Sequence, residues 1–137
     1  LSSFIHISEA VSLAMHGMGI IASSEGRISV REIAFRTKAS EAHLAKVFQR
    51  LVKSGLVKST RGSKGGLELA RSPSGITLYE IYSALEGPTE NLNCLMTDIQ
   101  CPFKSCIFGG LLHKLNEELI SHLKDHTLED LLEGKMN

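Results

Sequence analysis

The chain has no tryptophan, only 5% aromatic residues and just three cysteines among its 137 residues. With so few rings the core must be aliphatic, and a 42% hydrophobic content supplies one. The net charge at pH 7 is zero, so total charge points to no partner. No apolar run approaches the roughly 20 residues that a membrane helix needs. Residues 1–6 show no basic stretch ahead of a cleavable apolar segment. An odd cysteine count argues against a simple disulfide framework. A cytoplasmic, reducing setting without membrane contact is the expectation. The length suits one ordinary domain, or a small domain with an oligomerisation arm.

What is present is unevenly placed. From Arg27 to Arg71 there are 11 Lys/Arg against 3 Asp/Glu, a local net of +8. The rest of the chain carries −8, from 4 Lys/Arg against 12 Asp/Glu. Such asymmetry suggests a nucleic-acid face on one half of the molecule. All three cysteines follow this block, in the order Cys94-x6-Cys101-x4-Cys106. Clustered thiolates are soft ligands that suit an iron–sulfur cluster or zinc.

Residues 5–22 read as a helix with Ser8 as a candidate N-cap. Ser29-Val30-Arg31-Glu32 reads as a capping box that opens a short helix through Ile33, Ala34 and Phe35. Lys38-Ala39 turns the chain and Ser40 caps another helix. There Leu44, Val47, Phe48, Leu51 and Val52 recur at helical spacing as one buried face, and Gly55 ends it. Residues 56–60 and 67–70 read as two strands around the glycine-rich turn Arg61-Gly62-Ser63-Lys64-Gly65-Gly66. Thr77-Leu78-Tyr79-Glu80 is a second capping box, opening a helix that ends at Gly87-Pro88. Residues 89–106 have loop character. Phe108, Leu111, Leu112, Leu115, Leu119 and Leu123 mark a long amphipathic helix, and Thr127 caps a last short one.

Helix, short turn, helix, then a basic two-stranded hairpin is the order of a winged helix-turn-helix. The second helix of the pair would enter the major groove. It turns His43, Lys46, Gln49, Arg50 and Lys53 outward. Lys46 and Gln49 suit base edges, and Arg50 and Lys53 suit phosphate. Ser40 at the helix start suits a phosphate, and Arg61 and Lys64 carry the charge of the wing. The Gly-Ser-Lys-Gly-Gly turn lacks the spacing of a phosphate-hydrolysing loop and precedes a strand, not a helix. No nucleophile–base spacing or paired carboxylates mark an enzyme.

For the cysteines, zinc is the weaker choice, because only Cys101-x4-Cys106 approaches a close zinc pair. A metal-free set of redox-active or structural thiols is the other alternative. His16, His122 and His126 read as surface or packing residues.

These residues resemble the IscR/NsrR family of bacterial winged-helix regulators over nearly the whole chain. The most specific stretches are residues 44–57, residues 61–71, Ile76-Thr77-Leu78-Tyr79-Glu80-Ile81, the late cysteine triad and Thr127-Leu128-Glu129-Asp130-Leu131. The resemblance implies a homodimer joined along the long C-terminal helix, with two winged domains on a duplex operator. It also implies an iron–sulfur cluster, 2Fe-2S or 4Fe-4S, on Cys94, Cys101 and Cys106, whose state tunes DNA affinity. The fourth ligand stays open. Where IscR-like members have a histidine this chain has Gly109, and, with Ala10 taken as the alanine of the first helix, Ser8 stands at the acidic position of NsrR-like members and Glu9 one step off. His6, Glu9 and His113 are the candidates.

The expected fold is mainly helical with a small two-stranded wing. Residues 1–87 form the winged domain, 88–106 the cysteine loop and 107–137 the dimerisation helix and C-terminal segment. The expected function is a DNA-binding regulator, in the sense of a repressor, that senses redox, nitric oxide or iron–sulfur status. Two alternatives remain. One is a clusterless regulator controlled by a partner protein or thiol metabolite. The other is an iron–sulfur electron carrier or assembly protein, which leaves the basic wing without a purpose.

Overall fold

A computed structural model describes residues 7–87 and 101–137, so the candidate ligands His6 and Cys94 lie outside the described residues. Helix α1 (Glu9–Ser23) starts where the Ser8 hydroxyl accepts from the Val11 amide at 3.2 Å. Helix α2 (Val30–Thr37) starts at Ser29, which accepts from the Glu32 amide. The Glu32 carboxylate is engaged by Arg36 at 3.1 Å rather than by the cap backbone, so the expected box closes from one side. Helix α3 (Glu41–Lys53) is capped by Ser40 and ends at Gly55, whose φ of +78° suits a residue without Cβ.

Strands β1 (Val57–Thr60) and β2 (Gly66–Leu69) pair antiparallel, with Val57 opposite Leu69 and Thr60 opposite Gly66. Ile28 adds a bridge to Leu67, donating at 3.1 Å and accepting at 2.7 Å. Gly66 permits that approach, because a Cβ there would sit 2.9 Å from the Ile28 carbonyl oxygen. After a short 3₁₀ turn at Pro73–Gly75 comes α4 (Leu78–Glu86), opened by the complete Thr77/Glu80 capping box. Helix α5 (Leu111–Asp125) and helix α6 (Leu128–Leu132) close the chain, the latter through a Thr127/Asp130 box.

Two expectations shift. Val52 is 37% exposed, since the buried face of α3 is confined to Leu44, Val47, Phe48 and Leu51. Phe108 precedes α5 rather than opening it, because Gly109 at φ +57° and Gly110 separate the two.

The core forms around α1, which packs on α3, α4 and α6. Gly17 lets α1 approach α3; a methyl there would lie 2.6 Å from Phe48 Cζ. Ala14, Met18, Ile33, Leu44, Leu51 and Ile81 fill the interior, which is aliphatic apart from Phe48 and Tyr82. The far end of the chain joins the same core. Leu119 and Leu123 of α5 and Leu128 of α6 pack into it. The other end of α5 differs, because Leu111 and the preceding Phe103, Ile107 and Phe108 are exposed.

Candidate nucleic-acid interface and cysteine segment

Lys38 makes the turn between α2 and α3 in the left-handed region, with φ 56° and ψ 32°. Its amide bonds the Ala34 carbonyl, and Ala39 does the same at 3.1 Å, so the last turn of α2 closes on itself. The chain is thereby aimed at Ser40, whose hydroxyl accepts the His43 amide at 3.3 Å. This fixes where α3 begins and which side chains it shows. Lys46, Gln49 and Lys53 are exposed, and His43 is half-buried. Arg61 and Lys64 are exposed at the hairpin turn.

Two of the three acids of the basic block are already used. Glu32 holds Arg36, and Glu68 holds Arg27 at 3.4 Å. Beyond the block, Glu80 holds Arg71 at 2.7 Å. Arg31, Lys38, Lys46, Lys53, Lys58, Arg61 and Lys64 are exposed, with no ion pair among the described residues. The uncompensated charge is thus spread over α2, α3 and the wing. That is the footprint a duplex backbone would meet. Between α3 and the wing lies a cleft of about 330 Å³, lined by Ala45, Phe48, Gln49, Val52 and Ser59 among others.

Arg50 behaves differently. Its Nη2 donates to the Leu85 carbonyl at 2.5 Å, turning the guanidinium toward α4. Sequence spacing placed Arg50 on the outward face with Lys53, and nothing local announces a partner 35 residues away.

Of the cysteines, Cys101 and Cys106 are described, and both are free and exposed. The Cys101 thiol points to the Phe103 carbonyl at 3.9 Å, and the Cys106 carbonyl accepts from the Gly109 amide at 3.0 Å. Among the described residues no group of three or more His, Cys, Asp or Glu side chains converges on one point. Of the candidate fourth ligands, Glu9 is exposed in the first turn of α1, and His113 lies 3.1 Å from Glu117 on α5.

A family model described as Rrf2, iron-dependent transcriptional regulator, matches residues 7–134. The chain belongs to the Rrf2 family. It is 32% identical over 123 residues to the HTH-type transcriptional regulator NsrR of Bacillus subtilis (strain 168), covering 85% of this chain and 82% of that one. The structure of CymR, the global cysteine regulator of B. subtilis, superposes with a TM-score of 0.76 at 31% identity, covering 93% of this chain and 95% of that one. IscR of T. potens superposes with a TM-score of 0.74 at 28% identity, over 95% and 88% of the two chains. The molecule is therefore an IscR/NsrR-type winged-helix transcriptional regulator of the Rrf2 family, and not an enzyme. Family membership also sets aside the electron-carrier alternative. No described helix is long and apolar enough to cross a membrane.

Proposed function

We propose that this regulator is a homodimeric repressor whose operator affinity is set by an iron–sulfur cluster on Cys94, Cys101 and Cys106. The observation that carries the reading is the pair of exposed free thiols at Cys101 and Cys106, just ahead of α5 in a chain of an iron-dependent family. Both are sterically open, and thiolate is the donor that such clusters take. Glu9, His6 or His113 would complete the set. When bound, the cluster would supply redox-dependent charge and ligation at those thiolates. The protein's part is to hold the segment: the Cys106 carbonyl bonds the Gly109 amide, and Gly109-Gly110 leads straight into α5.

Dimerisation is assigned to the start of α5 and the residues just ahead of it. Ile107, Phe108 and Leu111 are exposed there, whereas Leu119 and Leu123 are committed to the chain's own core. A second copy covering those residues would remove an apolar patch from water and set the spacing of the two winged domains. On each domain Lys46 and Gln49 would read base edges. Ser40, His43, Lys53, Arg61 and Lys64 would hold backbone.

A second reading has specific support. CymR, a global cysteine regulator, superposes over most of both chains. In that reading the same fold is clusterless and answers a partner protein or thiol metabolite. Iron and acid-labile sulfide per chain in anaerobically purified protein separates the two. Matched iron and sulfide support the cluster. Iron-free protein that also resists anaerobic reconstitution leaves the clusterless regulator.

A further inference from the structure

The end of α4 is gripped from two sides at consecutive residues. Leu85 is in the last turn of α4, where carbonyls lack an intrahelical donor. Its carbonyl is taken by Arg50 Nη2 of α3 at 2.5 Å. Glu86, the last helical residue, takes the hydroxyl of Ser8 at 2.5 Å, and Ser8 is the N-cap of α1. Gly87 then closes the helix, its amide bonded to the Ser83 carbonyl at 2.8 Å and its φ at +80°. The chain that leaves Gly87 is the segment bearing Cys94. The candidate ligands His6 and Glu9 flank Ser8 in sequence. Two of the routes by which a change at the cysteines would reach the folded domain thus arrive at Leu85-Glu86; the third enters through α5.

We propose that Arg50 is a positioning residue, and not a phosphate ligand: it ties the recognition helix to the last turn of α4, so that a displacement of that turn is passed to the side chains that read DNA. The guanidinium is suited to this. It is planar, always charged and able to hold a carbonyl in a fixed direction. It sits one residue past Gln49 and four past Lys46 on the same helix. The Arg50 carbonyl is itself held by the amide and hydroxyl of Ser54, both at 2.9 Å, which stiffens the helix end on which the tie acts. The transmission step rests on the sensing reading above; the positioning step does not.

The test uses a duplex selected from a random library by the wild-type protein, with affinity measured from about 50 to 200 mM salt. Arg50→Ala is expected to weaken binding while leaving the slope of log K against log salt as in wild type. Lys53→Ala serves as the phosphate-contact control. A phosphate ligand would instead lower the slope by about 0.9, and that result for Arg50→Ala would overturn the proposal. Arg50→Lys keeps the charge without the planar fork. Full rescue of affinity by lysine would also overturn it. The same duplex is then titrated with anaerobically reconstituted protein before and after its bound iron is removed by a chelator. A wild-type affinity ratio that collapses toward one in Arg50→Ala supports transmission, and an unchanged ratio overturns that step. A ratio of one in wild type itself overturns the sensing reading and the transmission step with it, whereas the salt slope still judges the positioning role. Far-UV circular dichroism of each variant guards against simple misfolding.

Discussion

Thr77 and Thr127 face one another across an isolated antiparallel bridge, each the N-cap of a helix with a complete capping box. The Leu78 amide donates to the His126 carbonyl at 2.9 Å, and the Leu128 amide donates to the Ile76 carbonyl at 3.0 Å. Two helix starts, 50 residues apart in sequence, are thereby sewn together, and Leu128 is carried into the core. Replacing Thr127 by alanine removes the hydroxyl that accepts the Asp130 amide. The expected cost is about 1 kcal/mol, read as a lower Tm. Thr77→Ala should cost a similar amount, and the double variant should fall short of the sum because the two caps share one bridge.

The contact between Gly17 and Phe48 has no slack. A methyl on residue 17 would meet a ring that is itself fully buried. Gly17→Ala should destabilise the domain by roughly 1–3 kcal/mol through overpacking. Phe48→Leu in the same chain should recover part of that loss, as read by chemical denaturation. Recovery by a smaller partner distinguishes crowding from any change of helix propensity, which would favour alanine.

Glu80 makes stability depend on acid. Burial is the largest single influence on its carboxyl and pushes its pKa up. The hydrogen bond from Arg71, the Thr77 amide, the Arg71 charge and the Thr77 hydroxyl together outweigh burial and hold it below the usual carboxylate value. A group depressed in the folded state stabilises above its unfolded pKa of about 4.3. That contribution fades as pH falls through the lower folded value. Wild-type Tm should therefore fall between about pH 5 and 3 more steeply than that of Glu80→Gln, which keeps a capping side chain and lacks the charge.

The exposed lysines predict a division of labour on DNA. Lys64→Ala on the wing should weaken all duplexes alike and reduce the salt slope by about 0.9. Gln49→Ala should leave the slope unchanged and relax discrimination at one base pair, by about 1–3 kcal/mol. Equilibrium binding to a selected duplex and to its single-base variants reads both quantities.

Much of this was legible in the sequence because it is local. Ser8, Ser29, Ser40, Thr77 and Thr127 each cap the helix they announce, and a cap is decided within four residues. The wing hairpin followed from its turn glycines and alternation. The misses are tertiary. A repeat at helical spacing cannot show where a buried face stops, so Val52 was assigned to the core although it borders an open cleft. The Ile28–Leu67 bridge and the Arg50–Leu85 bond join residues 39 and 35 positions apart, with no motif at either end. For α5 the apolar spacing showed one stripe, whereas the structure divides it between the chain's own core and solvent. The cysteine site was legible as chemistry, through three soft donors close in sequence. Cys94 and the candidate ligand His6 lie outside the described residues.

The most direct test is the affinity of anaerobically reconstituted protein for a library-selected duplex, before and after the bound iron is removed by a chelator, with Cys101→Ser carried alongside. The account predicts that removal changes wild-type affinity by tenfold or more, and that Cys101→Ser binds at one affinity throughout. Equal wild-type affinity before and after removal, in protein shown to have carried iron and sulfide, would contradict it.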